Sequence, residues 1–234
     1  LDSEIVLDSP HAAELIVNDI FNIGGEVEIG IDRDQRRWAL VAFDEKLEAE
    51  RQPLTSVDTW LVSGGGSGVT AAAIIGVAQA STDANAHFIL LGRSKLIEET
   101  QSWLDWSEAE LNQRKMKLRD AMVSTSNDGK VTMVEWNKEW QKYTRSKDVY
   151  LTLDRIEKTG NKARYHSVDV LDRETMIDLG KSLKRKITGV VHGAGLEDSK
   201  LVADKDHEVF DRVVRVKLDG WKSLMAMVES SGTK

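Results

Sequence analysis

The 234-residue chain contains no cysteine, which excludes disulfides, thiolate metal sites and cysteine nucleophiles. Its five histidines, His11, His87, His166, His192 and His207, are scattered without ligand spacing, so nothing points to a zinc site. No run approaches the roughly 18 apolar residues that a membrane helix needs. Leu1-Asp2-Ser3-Glu4 lacks the basic and apolar regions of a secretory signal, and a cytoplasmic protein is expected. A formal net charge of −7 speaks against broad binding to nucleic acid or to an anionic membrane surface. There are only two prolines, and both punctuate: Pro10 follows Ser9 at a helix start, and Pro53 closes a charged connector.

What is present is ordinary for a globular protein: 41% hydrophobic and 30% charged residues. The length suits one large domain, or one domain with a small appendage. The chain starts at Leu1 and stops just after an amphipathic helix, so a piece of a longer polypeptide is expected. Residues 1–57 read as a small α+β unit. A helix runs over His11–Ile20, and strands over Val27–Ile31 and Trp38–Phe43 flank a polar turn. Such a hairpin and helix bury too little to be stable alone and must pack on something else.

From residue 58 onward strands alternate with helices. Strands are expected at Thr59–Ser63, within His87–Ser94, whose apolar run ends in a polar corner, and at Ala163–Val168 and Ile187–His192. Helices are expected over Thr70–Ala80, Arg173–Lys184 and Asp206–Glu229. This alternation implies a Rossmann-type, doubly wound parallel sheet. Residues 95–158 interrupt the rhythm with a charged, mostly helical insertion carrying Trp103, Trp106, Trp136 and Trp140, broken at Thr125–Lys130.

The chain is organised around Thr59–Thr70, where a buried strand gives way to Gly64-Gly65-Gly66-Ser67-Gly68-Val69 and then to an alanine-rich helix. Glycine permits the abrupt turn, and the backbone N–H groups of the new helix can hold a phosphate such as a dinucleotide pyrophosphate. A P-loop would need Gly-Lys-Ser/Thr at the helix start, but Val69-Thr70 follows Gly68.

In such sheets ligands bind at the carboxyl ends of the strands. The first strand ends at Ser63, before the glycine turn. The second ends at Gly92-Arg93-Ser94, where an Arg favours a 2′-phosphate and hence NADP, or is a solvated surface Arg. The third ends at Asp169-Val170, an acceptor for an adenine amino group or a helix cap, a role for which Asp172 competes. The fourth ends at His192-Gly193-Ala194-Gly195, small enough for a ribose or nicotinamide, or a plain turn. On the last helix Phe210, Val214, Lys217, Trp221, Leu224 and Val228 form one stripe, in which Lys217 either snorkels or directs an ammonium into the site. Tyr143 and Lys147 match a Tyr-x-x-x-Lys spacing but fall in the insertion, on what reads as a solvated helix face.

Together these motifs resemble the ketoreductase domain of fatty-acid and polyketide synthases, a branch of the short-chain dehydrogenase/reductases. The chain is most similar to the polyunsaturated-fatty-acid-synthase branch. The resemblance rests on residues 62–70, Leu91-Gly92-Arg93-Ser94, Asp169-Val170, Gly189–Gly195 and Val216-Lys217-Leu218-Asp219-Gly220. It implies that residues 1–57 are part of a structural subdomain and that residues 58–234 are the catalytic one. It further implies NADPH-dependent reduction of a 3-ketoacyl group on acyl carrier protein, beside neighbouring synthase domains. Cofactor contacts would come from Ser63, Gly64, Gly65, Ser67, Gly68, Val69, Arg93, Ser94, Asp169, Val170 and His192–Gly195, with Lys217 as the catalytic lysine. The family's serine and tyrosine would follow a fifth strand past Lys234, so the chain alone is expected to be inactive. Glu197-Asp198-Ser199 stands where many members carry Leu-Asp-Asp, which leaves the alcohol stereochemistry open. The alternatives are a non-catalytic bracing domain and a free-standing dehydrogenase.

Overall fold

The computed structural model describes residues 10–21, 29–32, 34, 36–39, 41, 53–126 and 129–232. The chain divides into two compact units, Leu1–Arg51 and Gln52–Lys234. In the first, α1 (Pro10–Phe21) precedes an antiparallel pair, β1 (Ile29–Ile31) and β2 (Arg37–Ala39). Asp32 organises the turn between them, accepting from the Asp34 and Arg36 N–H groups and from the Trp38 indole. The outer ends expected for these strands, at 27–28, 40 and 42–43, lie outside the described residues. So do most of the expected connector and residues 127–128 of the expected break.

In the second unit the elements run β3 (Thr59–Ser63), α2 (Gly68–Ala80), β4 (His87–Gly92), a 3₁₀ turn (Glu98–Trp103), α3 (Glu108–Thr125) and α4 (Met133–Glu157). They continue with β5 (Lys162–Ser167), α5 (Arg173–Ser182), β6 (Gly189–His192) and α6 (His207–Ser230). The strands form one parallel sheet in the order β5-β4-β3-β6. This is the Rossmann-type sheet the alternation implies, and its order reverses between β3 and β6.

Strand alternation sends side chains to two cores. Leu61, Ile89 and Leu91 pack with Met176 of α5 and with Leu224 and Met227 of α6. Val62, Phe88 and Leu90 pack with Ile74 and Ala78 of α2 and with Ile156 of α4. Asn161 ties the lower edge together: its amide donates to the Ala78 and Ser81 carbonyls and to Thr159 Oγ1, and its oxygen accepts from Ala86 N–H.

The insertion is structural as well as charged. The C-terminal half of α4 supplies the crossover from β4 to β5, burying Val149, Thr152 and Ile156. Thr152 Oγ1 donates to the Gly66 carbonyl at 3.0 Å, which fastens α4 to the glycine turn. Tyr143 is not on a solvated face. Its ring stacks on Trp103 and Trp140, with centroids 5.7 and 6.2 Å away, and the Arg114 guanidinium lies over the Trp103 and Tyr143 rings. The α6 stripe also differs from expectation. The buried face runs through Val216, Gly220, Leu224 and Met227, whereas Phe210 and Trp221 are exposed, because the sheet meets the helix about one residue round from the predicted line.

Candidate functional site

The registers Ser63↔Leu91, Gly92↔Ser167 and Ser63↔His192 bring all four strand ends level. A cavity of about 230 Å³ opens there, lined among others by Gly64, Arg93, Asp169, Val170, Gly193, Ala194 and Gly195. Residues from distant segments, running from Gly64 to Val216, thus meet at the point where the strand order reverses.

Gly64 has φ +69° and Gly68 φ +70°, left-handed values that favour glycine. A Cβ on Gly64 would sit 2.7 Å from the Ala194 nitrogen, whereas one on Gly68 would meet nothing within 4 Å. The turn is therefore closed toward β6 and open toward solvent. α3, α4, α5 and α6 each have a capping side chain: Ser107, Thr132, Asp172 and Asp206. Ser67, the N-cap of α2, makes no such bond, so the first-turn N–H groups of α2 are left for an outside acceptor. Ser67 and Val69 stand exposed beside them. Gly65 is buried, and a Cβ there would lie 2.7 Å from Val62 Cγ1, so it serves packing beneath the turn.

Ser63 is fully buried. Its hydroxyl lies 2.6 Å from His192 Nδ1 and accepts from Ala194 N–H at 3.2 Å. His192 Nε2 lies 3.1 Å from the Val216 and Lys217 carbonyls. Carbonyls only accept, so Nε2 carries the proton, Nδ1 is the acceptor, and Ser63 donates to it. Burial holds the His192 pKa below its ordinary value, consistent with that neutral ring. The Ser63 hydroxyl thus links the end of β3 to β6 and, through His192, to the backbone of α6. Gly220 makes the approach possible, since a Cβ there would sit 3.3 Å from His192 Cε1.

Lys217 is exposed, and its side chain runs beside the β6 corner. A Cβ on Gly195 would lie 3.1 Å from Lys217 Cε and 3.2 Å from Nζ. Asp169 Oδ1 accepts from Leu171 N–H, and Asp172, not Asp169, caps α5. Among the described residues the other Asp169 carboxylate oxygen makes no hydrogen bond, and Asp169 lines the cavity. Ser94 contributes its carbonyl to Tyr165 OH at 2.9 Å.

Sequence reasoning missed Thr70, which closes the floor of the site. A Cβ on Gly193 would fall 2.3 Å from Thr70 Oγ1, so the β6 corner must be glycine there. It also missed the cations of α4 that stand beside Arg93. The missing clue is spatial: α4 reads as an insertion, and nothing local places it against the end of β4.

A family model described as "KR domain" matches residues 58–233. The chain is 25% identical over 217 residues, 88% of its length, to a polyunsaturated fatty acid synthase polypeptide of Thraustochytrium sp.. It is 34% identical over 77 residues, 33% of its length, to erythronolide synthase EryA2 of Saccharopolyspora erythraea. It spans only 8% and 2% of the lengths of those two proteins. Among solved structures, a ketoreductase domain from the bacillaene assembly line aligns with a TM-score of 0.54 at 17% identity, over 93% of this chain and 40% of that one. An N-terminal ketoreductase from the macrolactin assembly line aligns at 0.50 and 18% identity, over 79% and 28%. At these identities the structural likeness speaks to the fold.

Proposed function

This chain belongs to the KR domain family, and we propose that its strand-end cavity is the NADPH seat of a 3-ketoacyl reductase of the short-chain oxidoreductase type. The observation that carries the reading is the convergence of Gly64, Arg93, Asp169 and the Gly193–Gly195 corner on one cavity at the strand-order reversal, with the uncapped α2 N-terminus following at the end of the same glycine turn. The residues fit the group. The uncapped N–H groups of α2 suit a pyrophosphate, the Arg93 guanidinium suits a 2′-phosphate, and Asp169 suits an adenine amino group.

NADPH supplies the hydride when bound; the chain's own residues bind and orient. Ser63, His192 and Gly193 hold the floor. Gly195 leaves room for a flat ring beside the Lys217 ammonium, which would lower the pKa of a neighbouring phenol. By the resemblance, a serine and a tyrosine would complete such a site. The substrate in this reading is a 3-ketoacyl chain on acyl carrier protein, and the setting is a cytoplasmic synthase with neighbouring domains. The compact unit Leu1–Arg51 would be the structural subdomain.

The test is a titration of NADPH into residues 1–234, followed by nicotinamide fluorescence. Saturable one-to-one binding without ketone-dependent oxidation is expected. Absence of binding contradicts the cofactor seat, and robust ketone turnover contradicts the assigned division of catalytic residues.

A further inference from the structure

A second, larger cavity of about 960 Å³ adjoins the strand-end site and shares Arg93 with it. Its lining includes five cations, Arg93, Lys95, Lys138, Lys142 and Arg145, and no carboxylate. In a chain of net charge −7 this is a marked local reversal. Of the five, only Lys142 makes an ion pair among the described residues, with Glu139 at 2.5 Å. Ser67, the last residue before α2, lies on the same wall, so the cavity begins where the phosphate cradle ends.

Three of the cations come from one face of α4, at positions i, i+4 and i+7. Along a helix that spans about 10 Å, close to one screening length at physiological salt, roughly 8 Å. The three charges therefore act together on an anion placed between α4 and Arg93. Like charges at i, i+4 are unfavourable for the helix itself, a cost offset at Lys142 by its pair with Glu139. α4 is held in place by the Thr152–Gly66 bond and by buried Val149 and Ile156, which makes it a fixed wall.

We propose that α4 is the specificity wall for a phosphomonoester at the adenosine end of the cofactor, with Lys138 and Arg145 as positioning cations that extend Arg93 into a 2′-phosphate pocket. The inference rests on the dinucleotide reading of the strand-end cavity and gives the charged segment a role within it. Because Arg93 lines both cavities, a 2′-phosphate held by Arg93 would face the α4 cations. NADH carries no charge there, so the α4 cations distinguish the two dinucleotides without touching the reacting end.

The test compares residues 1–234 with the K138Q/R145Q variant and with K117Q, a control on exposed α3. Thermal melts check that each is folded, and the single variants K138Q and R145Q replace the double variant if it is not. Dissociation constants are measured for NADPH, NADH, adenosine 2′-monophosphate, adenosine 5′-monophosphate and inorganic phosphate. Hydrogen bonds to charged groups predict that NADPH and the 2′-monophosphate weaken about tenfold or more in the double variant. NADH and the 5′-monophosphate should stay unchanged, and so should K117Q. Equal loss for both dinucleotides, or no loss for either, overturns the proposal. Loss for inorganic phosphate alone assigns the cations to a free anion and also overturns it. If the unsubstituted chain binds neither dinucleotide, the cofactor reading fails, and this inference falls with it.

Discussion

Ser63 Oγ and His192 Nδ1 lie 2.6 Å apart, although 129 residues separate them in sequence. The bond joins the ends of adjacent parallel strands at the point where the sheet reverses, and His192 passes the connection on to the backbone of α6. Removing the hydroxyl in Ser63→Ala leaves His192 Nδ1 and the Ala194 N–H without their partner. The expected cost is about 1–3 kcal/mol, read from urea unfolding. An unchanged midpoint would contradict the lock.

His192 also sets a pH dependence. Burial lowers its pKa, outweighing the opposing bonds to the Val216 and Lys217 carbonyls. His87 and His166 are shifted the same way, again mainly by burial. Such groups take up protons more readily when unfolded, so stability rises with pH across the interval between the folded and unfolded values. The contribution is complete above the unfolded value, about 6.5, and is lost as pH falls through the folded one. Urea midpoints should decline below that point. His192→Asn, which keeps a donor and an acceptor but does not titrate, should flatten the decline without abolishing it.

Gly193 and Thr70 are matched in size. A methyl group at 193 would fall on the Thr70 side chain, 2.3 Å from Oγ1 and 2.5 Å from Cγ2. Gly193→Ala should cost about 1–3 kcal/mol through overpacking. Adding Thr70→Ala should recover part of that loss, appearing as a favourable interaction energy in a double-mutant cycle. Strict additivity would contradict the contact.

The sheet and the strand ends were legible because glycine and apolar runs report backbone need locally. Gly64, Arg93, Asp169 and Gly193 each mark a βα corner, and parallel strands of similar length bring such corners level. The Ser63–His192 bond was not legible, because it depends on the register of β3 against β6. The role of α4 was hidden by its charge. Val149, Thr152 and Ile156 bury one face, but the lysines and glutamates around them dilute the apolar pattern. Tyr143 was misread as solvated because its partner Trp103 comes from a separate turn. On α6, only Leu224 and Val228 of the predicted stripe reach the core.

Asn161 is a further test of the fold's lower edge. It is buried, with both polar atoms of its side chain engaged. Asn161→Ala should cost about 3 kcal/mol, since it orphans the Ala86 N–H and removes a donor from the Ala78 and Ser81 carbonyls. Asn161→Asp should also destabilise the fold, because a carboxylate cannot donate to those carbonyls. An unfolding midpoint that is unmoved in both variants would contradict this network.

The central claim is that one cofactor binds across the strand ends, and an amide-resolved NMR titration of residues 1–234 with NADPH tests it most directly. The account predicts that the amides of Gly64–Val69, Arg93, Asp169, Val170 and Gly193–Gly195 shift together with a single saturation curve, while those of α5 stay still. Saturation with these amides unmoved, or shifts confined to another surface, would contradict it.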